Sequence, residues 1–319
     1  MNENDIKNKQ VELDIDTQES NSSLGKVDVT RSNRNVTNLT KEELNERVSQ
    51  SSGKIDLPVH RLPTKGAFYP ADIKILIRAA KTAEIKDFSL MDETNALDIN
   101  EKINNIISLC TEVRGMTRVF SFKDLVEDDK MFLILSIREL TFPKGESVIK
   151  LRPLCTQCDF ENEFDLRTDN LQYYEENKKL QEYYNAAERK YDIKTKDFGV
   201  ITLSPPKIGV MQAITDYAKN KQINRQKWDK AAVQLLPYMN MDWKGLNEKV
   251  IMEKLISFQN WDVNKFALVF RLVEMMKAGI KQSLQYECAN CGHSMDVNVE
   301  IEGGMKSLFI PNNPLEQLI

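Results

Sequence analysis

Two short stretches, "LCTQC" ending at Cys158 and "ECANC" ending at Cys291, constrain this chain more than any other feature. Each holds two cysteines separated by two residues, Cys155 with Cys158 and Cys288 with Cys291. Zinc takes four thiolates in a tetrahedron at about 2.3 Å, and a tight CxxC turn supplies two of them on one side. Both pairs sit between strand-like residues. "SVIKLRPLCTQCDFENEFDL" reads as two strands around the first pair; Leu284 and Tyr286 precede the second pair, and Val297, Val299 and Ile301 follow it. Each unit is therefore read as strand, knuckle, strand. Gly292 follows the second knuckle and relieves its turn. Asp159 holds the same place in the first, where it tolerates unusual backbone angles less well than glycine, so the first knuckle is expected to be the less ideal one.

Residues 159–287 separate the pairs, far beyond the ~15–20 residues of a compact site. The expectation is a split four-cysteine zinc ribbon with one structural zinc ion and a mostly helical insertion, whose two ends the metal holds together. Closing so long a loop contributes through chain entropy, and metal affinity then becomes folding energy. Two alternatives stay open. Each hairpin could recruit ligands of its own, with His293 serving the second. The pairs could also be redox-active, but such thiols favour helix N-termini over strands. With four thiolates available, His293 is read as lying outside the ligand set.

The fifth cysteine, Cys110, falls on the apolar stripe Ile99, Ile103, Ile106 and Ile107 of a helix and reads as a small core residue. The fold class is α+β. Residues 1–54 are expected to form a disordered tail, since the first forty contain no aromatic residue and are rich in Asn, Ser, Asp and Lys. A weak helix with a capping box, Thr40 to Glu43, is the one exception. Residues 55–150 form a small N-terminal α/β module. It opens on turns around Pro58, Pro63, Gly66 and Pro70, with His60 as a turn residue and Phe68 and Tyr69 as anchors. "DIKILIRAA" follows as a half-buried strand with Ile73, Ile75 and Ile77 on one face. "SFKDLVEDDKMFLILSIRELTF" is expected to be one helix, its acids crowding the first turns.

Residues 151–168 and 282–303 are the ribbon halves, with the insertion at 169–281. Within the insertion, "NLQYYEENKKLQEYYNAAERKY" is expected to be helical. A short strand "FGVITL" follows, then a helix capped by Ser204 with Pro205 at its first position. Two or three more helices follow, the last between Asp262 and Gly279. Residues 304–319 form a C-terminal tail whose Leu308, Phe309 and Ile310 either pack back on the body or dock into a partner.

A closed four-thiolate site has no open position for water, so it points away from catalysis. No phosphate-binding glycine loop, GxSxG or HExxH occurs, and the chain has two histidines. No enzyme is expected, and no small-molecule substrate. "EDD" at 127–129 reads as helix starts and solvated faces. The formal net charge of −4 argues against a dedicated nucleic-acid binder. The best basic patch, Lys219, Lys221, Arg225, Lys227 and Lys230 around Trp228, supports the alternative function of a zinc-ribbon nucleic-acid-binding regulator. No apolar run is long enough to span a membrane, and the N-terminal residues lack a signal-peptide core, so a reducing compartment is expected.

The order of elements from "LPTKGAFYP" through "IKILIRAAKTAEI", "INNIISLC" and "FKDLVEDDKMFLILSIRELTF" to a strand and a CxxC resembles the baseplate hub and hub-assembly proteins of T-even-type contractile-tailed bacteriophages. The resemblance covers residues 57 to about 165 and the second knuckle near 284–301. It implies a non-enzymatic role in tail assembly through other baseplate hub or tail proteins. Phe68, Tyr69, Leu308, Phe309 and Ile310 are the candidate partner contacts. The implied location is the host cytoplasm during assembly, and the virion tail baseplate if the protein stays in the particle. The long insertion departs from shorter relatives.

Overall fold

The computed structural model describes residues 53–310 apart from 117, 143–147, 176, 277, 300 and 302. The expected N-terminal tail with its capping box, and the last residues of the C-terminal tail, lie outside them. The architecture is α+β with small antiparallel sheets.

Strands β1 (Ile55–Leu57), β2 (Lys74–Ile77) and β3 (Thr111–Arg114) form a three-stranded sheet in the order β1-β2-β3. Ile75 pairs with Leu57 on one side and Val113 on the other. The alternation predicts one buried face, yet Leu76 is buried as well as Ile75 and Ile77. Helix α1 (Thr82–Ser89) is tied to β2 by Glu84, which accepts both arms of the Arg78 fork at 2.9 and 2.7 Å. Asn95 caps α2 (Ala96–Cys110) by accepting from the Leu97 N–H. Its stripe of Ile103, Ile106, Ile107 and Cys110 is buried as expected, each isoleucine contributing about 1.5–3 kcal/mol by leaving water.

The stretch 121–142 is not one helix. It forms two 3-10 turns, Phe122–Asp124 and Glu127–Asp129, and only then α3 (Lys130–Thr141). Between the turns the backbone is extended, because Leu125 and Glu127 hydrogen bond to Ile208 and Pro206 at 2.8 Å. That distant pairing outweighs local helix propensity. The reading of 127–129 as solvated also fails at Asp129. This carboxylate is fully buried and accepts from Thr64 N–H at 2.9 Å, Thr64 Oγ1 at 2.7 Å and Tyr69 Oη at 2.6 Å. Burial raises it to about 6 despite these bonds, and raises Asp128 to about 7.

Two two-stranded hairpins follow, far apart in sequence. One pairs β4 (Ile149–Leu151) with β5 (Phe164–Leu166). Between the hairpins the expected helix over 170–191 is mostly absent. A single turn, α4 (Lys178–Gln181), leads into a sheet of β6 (Tyr184–Asn185), β7 (Lys190–Thr195) and β8 (Gly199–Leu203). The alternation of Tyr191, Ile193, Ile201 and Leu203 into a core favours strands here. Helix α5 (Ile208–Ile223) starts later than Ser204 and Pro205 predict, with Lys207 as its cap. Ser204 instead donates its N–H to Tyr238. Helices α6 (Lys230–Leu235), α7 (Glu248–Gln259) and α8 (Val263–Met275) complete this part, capped by Asp229, Asn247 and Asp262. Gly279, with φ 93°, turns the chain after α8 rather than capping it directly. The second hairpin pairs β9 (Ser283–Glu287) with β10 (Ser294–Asn298).

Two hydrophobic clusters result. The first joins the β1–β3 sheet, α2 and α3 to both hairpins and to Leu308 and Phe309. The buried residues of the second all lie between Leu180 and Met276. Phe68 packs against both, its ring 5.7 Å from Tyr184 and 5.8 Å from Tyr191.

Candidate metal centre

The hairpins present their CxxC turns to one another. The four sulfurs of Cys155, Cys158, Cys288 and Cys291 all lie within 4.8 Å of one another. Cys155 Sγ is 3.7 Å from Cys291 Sγ, and Cys158 Sγ is 3.7 Å from Cys288 Sγ. A tetrahedron with metal–sulfur bonds of about 2.3 Å has edges of about 3.8 Å, so the donor set fits a thiophilic ion such as zinc.

The two turns are built alike. Cys155 N–H donates to Phe160 and Cys288 N–H to His293, both at 2.9 Å. Asp159 and Gly292 return N–H bonds to Cys155 and Cys288 at 3.0 and 2.9 Å. Both are left-handed, with φ 54° and 69°. The equivalence of Asp159 and Gly292 is thus visible in the backbone.

Two of the sulfurs, those of Cys158 and Cys288, are prepared for negative charge. Burial opposes ionisation of Cys288, but the N–H groups of Cys291 and Asn290 and the Asn162 amide bring it down to about 6. The Asn290 amide, 3.6 Å away, and the Phe160 N–H hold Cys158 below its usual value. The His293 N–H favours the Cys291 thiolate, but burial and the three neighbouring sulfurs push it up to about 12. Four thiolates this close cannot all ionise without a cation among them.

The family profile described as T4 bacteriophage base plate protein matches residues 54–310. The chain belongs to that family. No curated protein and no solved structure matches it. The matched segment of this baseplate protein contains both hairpins and the whole second cluster.

The expected partner contacts are placed unevenly. Leu308 and Phe309 are buried in the first cluster, with Phe309 edge-on to Phe88 at 5.1 Å. The buried Arg138 guanidinium caps the carbonyls of Ser307 and Leu308. The tail therefore packs back here, which removes those two side chains from any docking surface. Tyr69 is also buried, donating to Asp129 and accepting the Val126 N–H. Phe68 and Ile310 are half-buried. In the basic patch, Lys221 pairs with Glu248 at 3.0 Å, and Trp228 packs on the second cluster with Lys230 over its ring. Among the described residues no helix is long and apolar enough to cross a membrane.

Asn162 went unnoticed in the sequence. It is buried, its Oδ1 accepts the Ala289 N–H at 2.9 Å, and its Nδ2 donates to Phe160 at 3.0 Å and lies 3.7 Å from Cys288 Sγ. One side chain therefore braces both knuckles. An Asn seven residues after a first cysteine carries no signal of its own, since Ala289 and Cys288, which explain it, belong to the other hairpin.

Proposed function

We propose that this baseplate protein is a structural or assembly component of the baseplate hub, acting through protein–protein binding. In this reading Cys155, Cys158, Cys288 and Cys291 hold one structural zinc ion in a split ribbon. The ion ties the ends of the 169–281 insertion to the 55–150 module. The observation that carries the reading is the convergence of the four sulfurs inside the segment matched to the baseplate family. A four-thiolate shell leaves no open coordination position, which favours a structural ion over a catalytic one. In this reading the protein assembles in the host cytoplasm and takes a place in the virion tail, and the family supports the second of these. Other tail or hub proteins are the partners, and Phe68 and Ile310 are the expected contact residues with surface to offer.

The test recovers the protein from the infected cells that make it, without crosslinking. Metal content and co-purifying proteins are then measured. One zinc per chain together with tail proteins is expected. A metal-free protein carrying DNA or RNA and no tail protein would refute the reading.

A further inference from the structure

A cavity of about 390 Å³ that shares no residue with the cysteine site lies between the segment leading into α5, the β6–β7 turn and the loop after β3. Phe68 and Tyr69 wall it, and Arg118, Arg189 and Lys207 line it. Its carboxylates are already engaged. Asp124 accepts the Ser121 N–H at 3.0 Å, Arg118 at 3.2 Å and the Trp243 indole at 3.2 Å. Asp72 accepts the Met116 N–H at 2.6 Å. Glu188 pairs with Lys190, which is outside the lining. Lys207 and Arg189 have no ion pair among the described residues.

Lys207 is also poorly hydrated. Burial, and then the charge of Arg118, lowers its pKa, while Asp124 and Asp242 offset this in part without bonding to it. A desolvated cation without a counter-ion is unfavourable and persists where something else compensates it. Lys207 also caps the sixteen-residue α5, whose first turn holds no acid, so the positive helix end adds to the same field. Arg189 lines the cavity in a left-handed conformation, φ 55°, which residues other than Gly, Asn and Asp seldom adopt. On the loop that carries Arg118, Met116 and Val119 are 88% and 86% exposed. Exposed apolar side chains on a loop that borders a cavity with two cations outside any ion pair suit a polypeptide better than a free ion.

We propose that this cavity docks an acidic segment of a neighbouring tail polypeptide, with a carboxylate between Lys207 and Arg189 and an apolar neighbour on Met116 and Val119. The proposal rests on the assembly reading above and names the chemistry of its partner. It is tested in infected cells with the full chain carrying photo-activated benzoylphenylalanine in place of Met116, with Leu90, also exposed, as the control position. The captured peptide is mapped by mass spectrometry. A tail-protein segment with Asp or Glu within a few residues of the crosslink is expected. Its yield should fall at least tenfold in Lys207→Met and Arg189→Gln and be unchanged in Lys254→Met, on an exposed face of α7. Purified Lys207→Met should melt no lower than the parent, because it removes a desolvated charge that makes no ion pair, which separates loss of a site from loss of fold. A crosslink no stronger than at Leu90, one that survives Lys207→Met, or a captured segment without acids overturns the proposal. So does capture of nucleic acid. Recovery of tail proteins with a failed crosslink counts against the cavity alone, whereas absence of tail proteins counts against the assembly reading.

Discussion

Replacing Gly292 by alanine tests whether the two knuckles are the same turn with different residues. Gly292 has φ +69°, and a Cβ built there meets nothing within 4 Å. No clash contributes, so the whole effect is conformational. Holding an L-residue in the left-handed region costs about 1–2 kcal/mol. Alanine returns part of this, about 0.4–1 kcal/mol, by restricting the unfolded chain. The net loss is about 1 kcal/mol. Where metal binding and folding of the knuckle are coupled, that loss weakens zinc about fivefold, given that 1.4 kcal/mol is tenfold. Asp159→Gly is the mirror experiment. Asp159 stands at φ 54°, and glycine relieves its strain while losing chain entropy, so zinc binding stays equal or tightens up to about threefold. Competition against a chromophoric chelator measures both, with urea unfolding of the zinc-loaded protein as a second readout. Gly292→Ala binding zinc like the parent, or Asp159→Gly weakening it, would show that backbone strain at this position does not govern the site.

Asn162→Ala should lower stability by about 1–2 kcal/mol in urea unfolding, because it removes the hydrogen bonds that this buried amide makes to Ala289 and Phe160. Chelation of a zinc-loaded chain should alter the near-ultraviolet signal of the stacked Phe164 and Tyr286, 4.1 Å apart. Tryptophan fluorescence should hold, since Trp228, Trp243 and Trp261 all pack on the second cluster. Burial raises Asp128 to about 7 and Asp129 to about 6. Both groups favour the protonated folded state, so their contribution is fully present below about pH 4 and is lost as pH rises through 6 and 7. Urea midpoints between pH 5 and 8 should therefore fall with pH, and Asp128→Asn should flatten the upper part by on the order of 3 kcal/mol.

The cysteine pairs were legible because metal chemistry fixes residue type and spacing together, and the α2 stripe because helical periodicity fixes a face. What was not legible depended on partners far away in sequence. The helix expected across 121–142 is broken where Leu125 and Glu127 bond to Ile208 and Pro206. Asp129 looked like a helix-start acid, but Thr64 and Tyr69 close over it. The 170–191 stretch is rich in Glu, Lys and Tyr, which suit a solvated helix. The strands it forms instead are set by cross-strand pairs such as Tyr184 with Tyr191. Asn162 is the clearest case at the site itself, since both groups that explain it arrive only when the second hairpin does.

The cysteines are not alone in bringing the hairpins together, and this bears on how a zinc clamp would act. Phe164 of the first hairpin stacks on Tyr286 of the second, with ring planes 9° apart. Gln172 exchanges two hydrogen bonds with the backbone of Gln285, at 3.0 and 3.1 Å, and its carbonyl accepts the Lys281 N–H at 2.8 Å. Tyr173 bridges Ile280. Leu166, Leu284 and Val297 share the first cluster. The ends of the insertion are thus already close without metal, so an ion there closes a short gap rather than the whole of 159–287. Its entropic contribution is correspondingly smaller than the loop length suggests. The metal's main effect falls on the knuckle tips, where exposed Leu154 and Phe160 cannot form a core and where four thiolates repel one another without a cation.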